Sequence, residues 1–182
     1  MNKALVLIDI QEDYFPGGKM ELIGAVEASL NAKKLIETCR INKIPIIHVR
    51  HISKSKSASF FIPDTDGINF NKNVLPLDNE IVITKHFPNS FRETELKSHL
   101  DNLGIKDVIF AGMMSHMCVD GTVRAAFDFG FTCTVVQDAC ATRNLSFGEA
   151  TIPSDNVHGS FMSALSGTYA KVLTTKEILG DI

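Results

Sequence analysis

Cys118 sits in the run Gly112-Met113-Met114-Ser115-His116-Met117-Cys118-Val119-Asp120-Gly121-Thr122. The apolar stretch Val108 to Ala111 precedes that run and reads as a buried parallel strand, and a helical pattern follows it. A cysteine three residues into a helix lies among N–H groups that lack intrahelical partners, and their partial positive charge favours thiolate over thiol. A thiolate at the carboxyl end of a central strand is a nucleophile placed where open α/β sheets hold their active sites. The competing assignment is a small buried hydrophobe, the ordinary fate of a free cysteine. Spacing alone does not separate the two.

Asp9 and Lys85 share the placement of Cys118, just past the carboxyl end of a strand pattern. In a parallel sheet those ends form one edge, so residues distant in sequence can converge there. Asp9 either ties down the following loop or serves as a general base that takes the thiol proton and later activates water. Lys85 either begins a solvated loop or supplies a cation that stabilises a Cys118 thiolate and keeps Asp9 ionised. His48 and His51 form an H-x-x-H. On an extended chain residues three apart point to opposite faces, so no metal site is assigned to them. His51 is read instead as a loop residue able to touch substrate. His86 and His116 flank the candidate site and fit either a catalytic role or a pocket wall. Arg124 is read as structural. Cys39, Cys133 and Cys140 are read as packing residues, with Cys140 in a strand-to-helix loop.

Those residues need a frame. Lys3 to Asp9 reads as a central first strand, and Ile44 to Val49 as a second. Ile81 to Thr84, Asp107 to Ala111, Thr132 to Val136 and Lys171 to Thr174 read as four more. Helical spacing predicts helices over roughly Gly24 to Asn42 and after Met117 as far as Gly130, with another marked by Val157, Phe161 and Leu165. Ser90 and Glu93 fit a capping box opening a further helix that stops near Gly104. His51 to Pro76 has no period and reads as a long functional loop. Strands alternating with helices predict an α/β fold: a three-layer, doubly wound sheet of about six mainly parallel strands, helices on both faces. One domain spanning residues 1–182 accounts for the length.

The composition excludes several classes. Hydrophobic residues make up 45% and charged residues 21%, as in ordinary soluble domains. A net charge of −3 gives no reason to expect nucleic acid or an anionic membrane. No apolar run is long enough to span a bilayer, and Met1 to Lys3 leads into a strand rather than a signal sequence, so the expected compartment is the cytoplasm. The four cysteines show no CxxC spacing, which argues against a zinc site or a disulfide framework. Neither GxGxxG nor GxxxxGK[ST] occurs, so no nucleotide cofactor is expected.

Taken together, Leu7-Ile8-Asp9-Ile10-Gln11-Glu12-Asp13-Tyr14-Phe15, Lys85 to Phe91 with Thr94, Gly112 to Ala126 and Asp138-Ala139 resemble the isochorismatase-like cysteine hydrolases. That superfamily includes nicotinamidases and related amidases. The resemblance runs over nearly the whole chain. It implies a catalytic triad of Asp9 as base, Lys85 as cation and Cys118 as nucleophile. It also implies a cis peptide between Met113 and Met114 and an oxyanion hole formed by the Met114 and Cys118 N–H groups. Nicotinamidases resemble one another in an Asp-x-His metal motif after the second strand; here His48-Val49-Arg50-His51 stands in its place. The resemblance therefore implies a metal-independent branch. Retention of Cys118 implies C–N amide hydrolysis through a thioester rather than vinyl ether cleavage. A homo-oligomer acting on a small-molecule amide is the assembly implied. Tyr14, Phe15, His51, Phe60, Phe61, His86, Phe91 and Met117 are the candidate pocket residues. A flavodoxin-like binding module, or a redox thiol with Cys140 as resolving cysteine, is the rival reading.

Overall fold

The computed structural model describes residues 2–182. Met1, which the sequence reading sets ahead of the first strand, lies outside them. The first strand, β1 (Lys3–Ile8), is buried along most of its length. Leu5 and Leu7 enter one hydrophobic core, while Ala4, Val6 and Ile8 enter the other. Burial on both faces is why the strand reads as a continuous apolar run rather than an alternation.

Helix α1 (Ala25–Ile41) follows, then β2 (Ile46–His51), β3 (Ile81–Lys85), α2 (Leu96–Asn102) and β4 (Asp107–Met113). After α3 (Asp120–Asp128) comes β5 (Thr132–Ala141), a hairpin of β6 (Leu145–Phe147) and β7 (Ala150–Ile152), α4 (Ser154–Leu165), β8 (Lys171–Leu173) and α5 (Thr175–Leu179). The main sheet runs β3-β2-β1-β4-β5-β8, and all its neighbouring pairs are parallel. Helices α1 and α5 contribute Leu35, Ile36 and Ile178 to one core; α2, α3 and α4 contribute Leu100, Val123 and Leu165 to the other. This is the three-layer α/β fold. Chain direction across the sheet reverses between β1 and β4, which opens a crevice at their carboxyl ends. Among the described residues no helix is long and apolar enough to cross a membrane.

Several local expectations need correction. Ser90 and Glu93 form no capping box, and α2 starts only at Leu96. Ser90 is instead drawn to Thr122: its N–H donates to Thr122 Oγ1 at 3.0 Å, and that hydroxyl donates to Ser90 Oγ at 2.9 Å. The capping box of this chain opens α5, where Thr174 and Glu177 bond each other's backbone N–H groups. Strand β5 runs five residues beyond Val136, so Cys140 lies inside a strand paired with Gly112 and not in a loop. The hairpin β6–β7 and helix α5 had no counterpart in the sequence reading.

Candidate active site

Asp9 is the residue after β1, held at φ 52°. Non-glycine residues rarely adopt that conformation, and here it turns the carboxylate into the crevice. Lys85 is the last residue of β3, still inside the strand, and its neighbour on β2 is His51. Cys118 lies in a single π-type turn, Ser115–Val119, between β4 and α3. Such turns interrupt helices mainly at functional positions. The peptide bond Met113–Met114 is cis. Gly112, just before it, adopts φ 135°, and a Cβ there would lie 2.0 Å from the Ile8 carbonyl oxygen. Only glycine allows β4 to pass that close to the end of β1.

The three side chains converge. Lys85 Nζ lies 2.7 Å from Asp9 Oδ2 and 3.2 Å from Cys118 Sγ. It also donates to the Phe87 carbonyl at 3.1 Å and lies 3.0 Å from His51 Nδ1. Donor atoms of Asp9, His51 and Cys118 fall within 4.8 Å of one another, a spacing that could hold a metal ion. The Lys85 ammonium already contacts all three, so a second cation there would have to share their charge with it. Asp9 and Lys85 are fully buried and Cys118 nearly so. Beyond the ion pair neither Asp9 oxygen has a well-aligned hydrogen-bond donor.

Electrostatics follow from that burial. Burial pushes the Asp9 carboxyl up, and Lys85 pulls it back down without cancelling the effect. Burial would depress Lys85, but Asp9 and Cys118 together raise it, so it stays an ammonium. Burial pushes the Cys118 thiol up, Asp9 pushes it further, and Lys85 opposes them. Removal from water at this π turn therefore works against the thiolate that a helix-terminus field was expected to favour. The sulfur shares the Lys85 ammonium with a carboxylate able to take a proton from it. Burial first, then Lys85, drops His51 to about 3, so its imidazole is neutral.

Polar residues that sequence reasoning left without a role fix this geometry. Gln11 Nε2 donates to the His51 carbonyl at 2.9 Å, and the His51 N–H donates to Gln11 Oε1 at 2.7 Å. Asp13 accepts from the Phe61 N–H through Oδ2 and from the Lys19 N–H through Oδ1. Both are buried, and nothing in the sequence set them apart from Glu12 between them. The Ser90–Thr122 contact ties the loop after Lys85 to the helix after Cys118.

The candidate pocket residues divide. His51, Tyr14, Phe60 and Phe61 gather beside the triad; Tyr14 and Phe61 ring centroids lie 4.7 Å apart and His51 stacks on Phe61 at 5.7 Å. A cavity of about 280 Å³ adjoins them, lined by His51, Phe60, Phe61 and serines of the 53–59 loop. Phe15 is buried in the neighbouring core. His86 anchors the loop base through Nδ1 to the Ile52 carbonyl at 2.7 Å. Met117 is partly exposed. Phe91 does not belong to the pocket: it packs on Phe129 at 5.2 Å in the opposite core. His48 points away from His51 and meets Glu80 at 2.9 Å. Arg124 bonds Asp120 at 2.9 Å and covers the Tyr169 ring, a structural role.

A buried carboxylate, ammonium and cysteine sulfur thus meet at the switch point of a parallel α/β sheet. The isochorismatase domain profile matches residues 3–177. The chain belongs to the isochorismatase family and is a hydrolase of that family. It is 48% identical to the isochorismatase family protein YddQ of Bacillus subtilis, over 98% of this chain and 99% of that one. It is 27% identical to Nicotinamidase 3 of Arabidopsis thaliana, covering 82% of this chain and 78% of that protein. An isochorismatase structure from Pseudomonas putida superposes with a TM-score of 0.91 at 39% identity, over 97% of this chain and 89% of that one.

Proposed function

We propose that this hydrolase cleaves the C–N bond of a small amide through a thioester on Cys118. The observation that carries the reading is the Lys85 ammonium, buried and within 3.2 Å of both the Asp9 carboxylate and the Cys118 sulfur. Asp9 takes the thiol proton as the sulfur attacks the carboxamide carbon. The Met114 and Cys118 N–H groups hold the oxyanion. The C–N bond breaks, and the leaving nitrogen takes the proton from Asp9. Water then gives a proton to Asp9 and its oxygen to the acyl carbon, and Cys118 returns as a thiol. Lys85 keeps Asp9 oriented and balances the charge on sulfur. The neutral His51 accepts from Lys85 through Nδ1, so its Nε2–H is free to face substrate. A reactive sulfur at the centre of the site favours acyl transfer over vinyl ether cleavage. The resolving thiol of the redox reading has no support, because Cys140 is buried in β5 and donates to the Val136 carbonyl.

The test is ammonia release from a panel of small carboxamides. Wild type should turn over at least one, and Cys118→Ala none. Turnover by the alanine variant would refute a thioester.

A further inference from the structure

The end of β5 returns to β4 through an irregularity. Phe110 pairs with Val135, but Gly112 pairs with Cys140 and Met113 with Ala141, so β5 carries extra residues between the two stretches. The ladder is disrupted where those residues are inserted. Side chains secure what lies beyond the break.

Ala141 grips both neighbours of Met114. It pairs with Met113 in the sheet, and its carbonyl accepts from the Ser115 hydroxyl at 3.2 Å. The same hydroxyl lies 2.8 Å from Nδ1 of His158, in the second turn of α4. A hydroxyl has one proton, and the Ala141 carbonyl can only accept. Both contacts are hydrogen bonds when that proton points to Ala141 and the His158 Nδ1–H donates to Ser115. Ser115 is fully buried, so its hydroxyl has no water to turn to. Burial lowers the His158 pKa and Asp155 opposes it. A neutral ring with its proton on Nδ1 meets the geometry.

The next residue repeats the pattern. His116 Nδ1 lies 2.6 Å from the Thr142 hydroxyl, and its ring packs edge-on against Phe161, about one turn after His158. Helix α4 thus backs both residues that follow Met114. The Met114 carbonyl in turn accepts from the Met117 and Val119 N–H groups at 3.1 and 3.2 Å. The turn that carries Cys118 is anchored on Met114, and Met114 on β5 and α4. We propose that His158, acting through the Ser115 hydroxyl, positions the Met114 N–H for the oxyanion. This rests on the assignment of the Met114 and Cys118 N–H groups to the oxyanion above, and not on which bond is cleaved.

Two reagents that meet the same sulfur separate this role from a structural one. p-Nitrophenyl acetate acylates Cys118: the sulfur bonds the acetyl carbon, Asp9 takes the thiol proton and p-nitrophenolate leaves, through a tetrahedral oxyanion. Iodoacetamide alkylates the sulfur by displacing iodide, with no oxyanion. Nitrophenolate release, with Cys118→Ala as blank, reads the first rate and peptide mass spectrometry the second. His158→Leu and Ser115→Ala should each slow acylation roughly tenfold to a hundredfold, less than outright loss of an oxyanion donor, and leave alkylation unchanged. His158→Asn, whose amide nitrogen can stand in for Nδ1, should recover most of the acylation rate. The double variant Ser115→Ala with His158→Leu should be no slower than Ser115→Ala, because both substitutions break one chain of contacts. A fall in both rates together would make His158 a structural support only and overturn the proposal. So would unchanged acylation in His158→Leu, or an asparagine variant as slow as the leucine one. If the leucine variant fails to fold, Ser115→Ala must show the split and His158→Gln, whose amide nitrogen falls nearer the place of Nε2, must share it. A wild-type protein that is alkylated but not acylated would overturn the proposal as well. Ammonia release from the carboxamide panel tests the amide reading separately, and it can fail while the acylation split stands.

Discussion

Two clusters on strand β2 are built from the same parts. At one end His51 lies with Asp9, Lys85 and Cys118; three residues earlier, His48 meets Glu80, which also binds Arg40. Each joins a carboxylate, a cation and an imidazole. Their hydrogen bonding differs. Glu80 accepts from Arg40 Nε at 2.8 Å, Arg40 Nη2 at 2.9 Å, the Leu77 N–H at 2.9 Å and His48 Nε2 at 2.9 Å. Asp9 has a single ammonium and otherwise bare oxygens. Burial alone would raise Glu80, but its partners outweigh it and hold the carboxyl down at about 2. Asp9 ends above its ordinary value, with its basicity intact. A saturated carboxylate is a fastener; an undersaturated one can take a proton.

The same substitution in both clusters gives the widest separation. Asp9→Asn should lower amide turnover roughly a hundred- to ten-thousandfold, the usual worth of a general base. Glu80→Gln should leave turnover intact and cost stability instead. The sign follows from linkage. Glu80 falls from 4.5 to about 2 on folding, so its contribution is present above pH 4.5 and is lost as the pH drops toward 2. Acid unfolding curves should therefore converge for wild type and Glu80→Gln at low pH and diverge above pH 4.5. Equal turnover losses in the two variants would erase the distinction.

Removing the cations separates the clusters by stability. Lys85→Met strands a buried carboxylate and should cost about 3–5 kcal/mol by denaturant titration. Arg40 is about one-third exposed, and water can replace it, so Arg40→Met should cost about 1 kcal/mol or less. The opposite ranking would mean that burial of Asp9 is relieved in solution.

The central strands were legible because both of their faces are buried, which leaves uninterrupted apolar runs such as Leu5 to Ile8 and Val108 to Ala111. Asp9, Lys85 and Cys118 were legible because chemical residues stand out at the ends of such runs. What failed depended on tertiary partners. Ser90 to Glu93 and Thr174 to Glu177 both read S/T-x-x-E, but Ser90 is claimed by Thr122 from another helix. Phe61 and Phe91 are both loop aromatics; Asp13 pins the first beside the triad, and Phe129 takes the second into the core. The extension of β5 was hidden by Gln137 and Asp138, which look like a turn. The Asp138 side chain instead accepts from the Thr175 N–H and hydroxyl at the start of α5. The direction of the thiol shift was also out of reach, because spacing reports a helix terminus and not the loss of water around the sulfur.

That thiol supplies the subtlest contrast. Asp9 and Lys85 pull Cys118 in opposite directions, with Asp9 disfavouring the thiolate and Lys85 favouring it. Asp9→Asn removes the repulsion and leaves the ammonium, so the thiol pKa should fall. Iodoacetamide should then label Cys118 faster at neutral pH in this variant, by roughly tenfold for each pKa unit of the fall. Catalysis and alkylation would move in opposite directions. Turnover requires a base to receive the proton, whereas alkylation in buffer needs only the thiolate. Labelling that slows together with turnover would mean that Asp9 holds the sulfur ionised before substrate arrives. The resting pair would then be thiolate and protonated carboxyl, and the proton transfer placed in the first catalytic step would already have occurred.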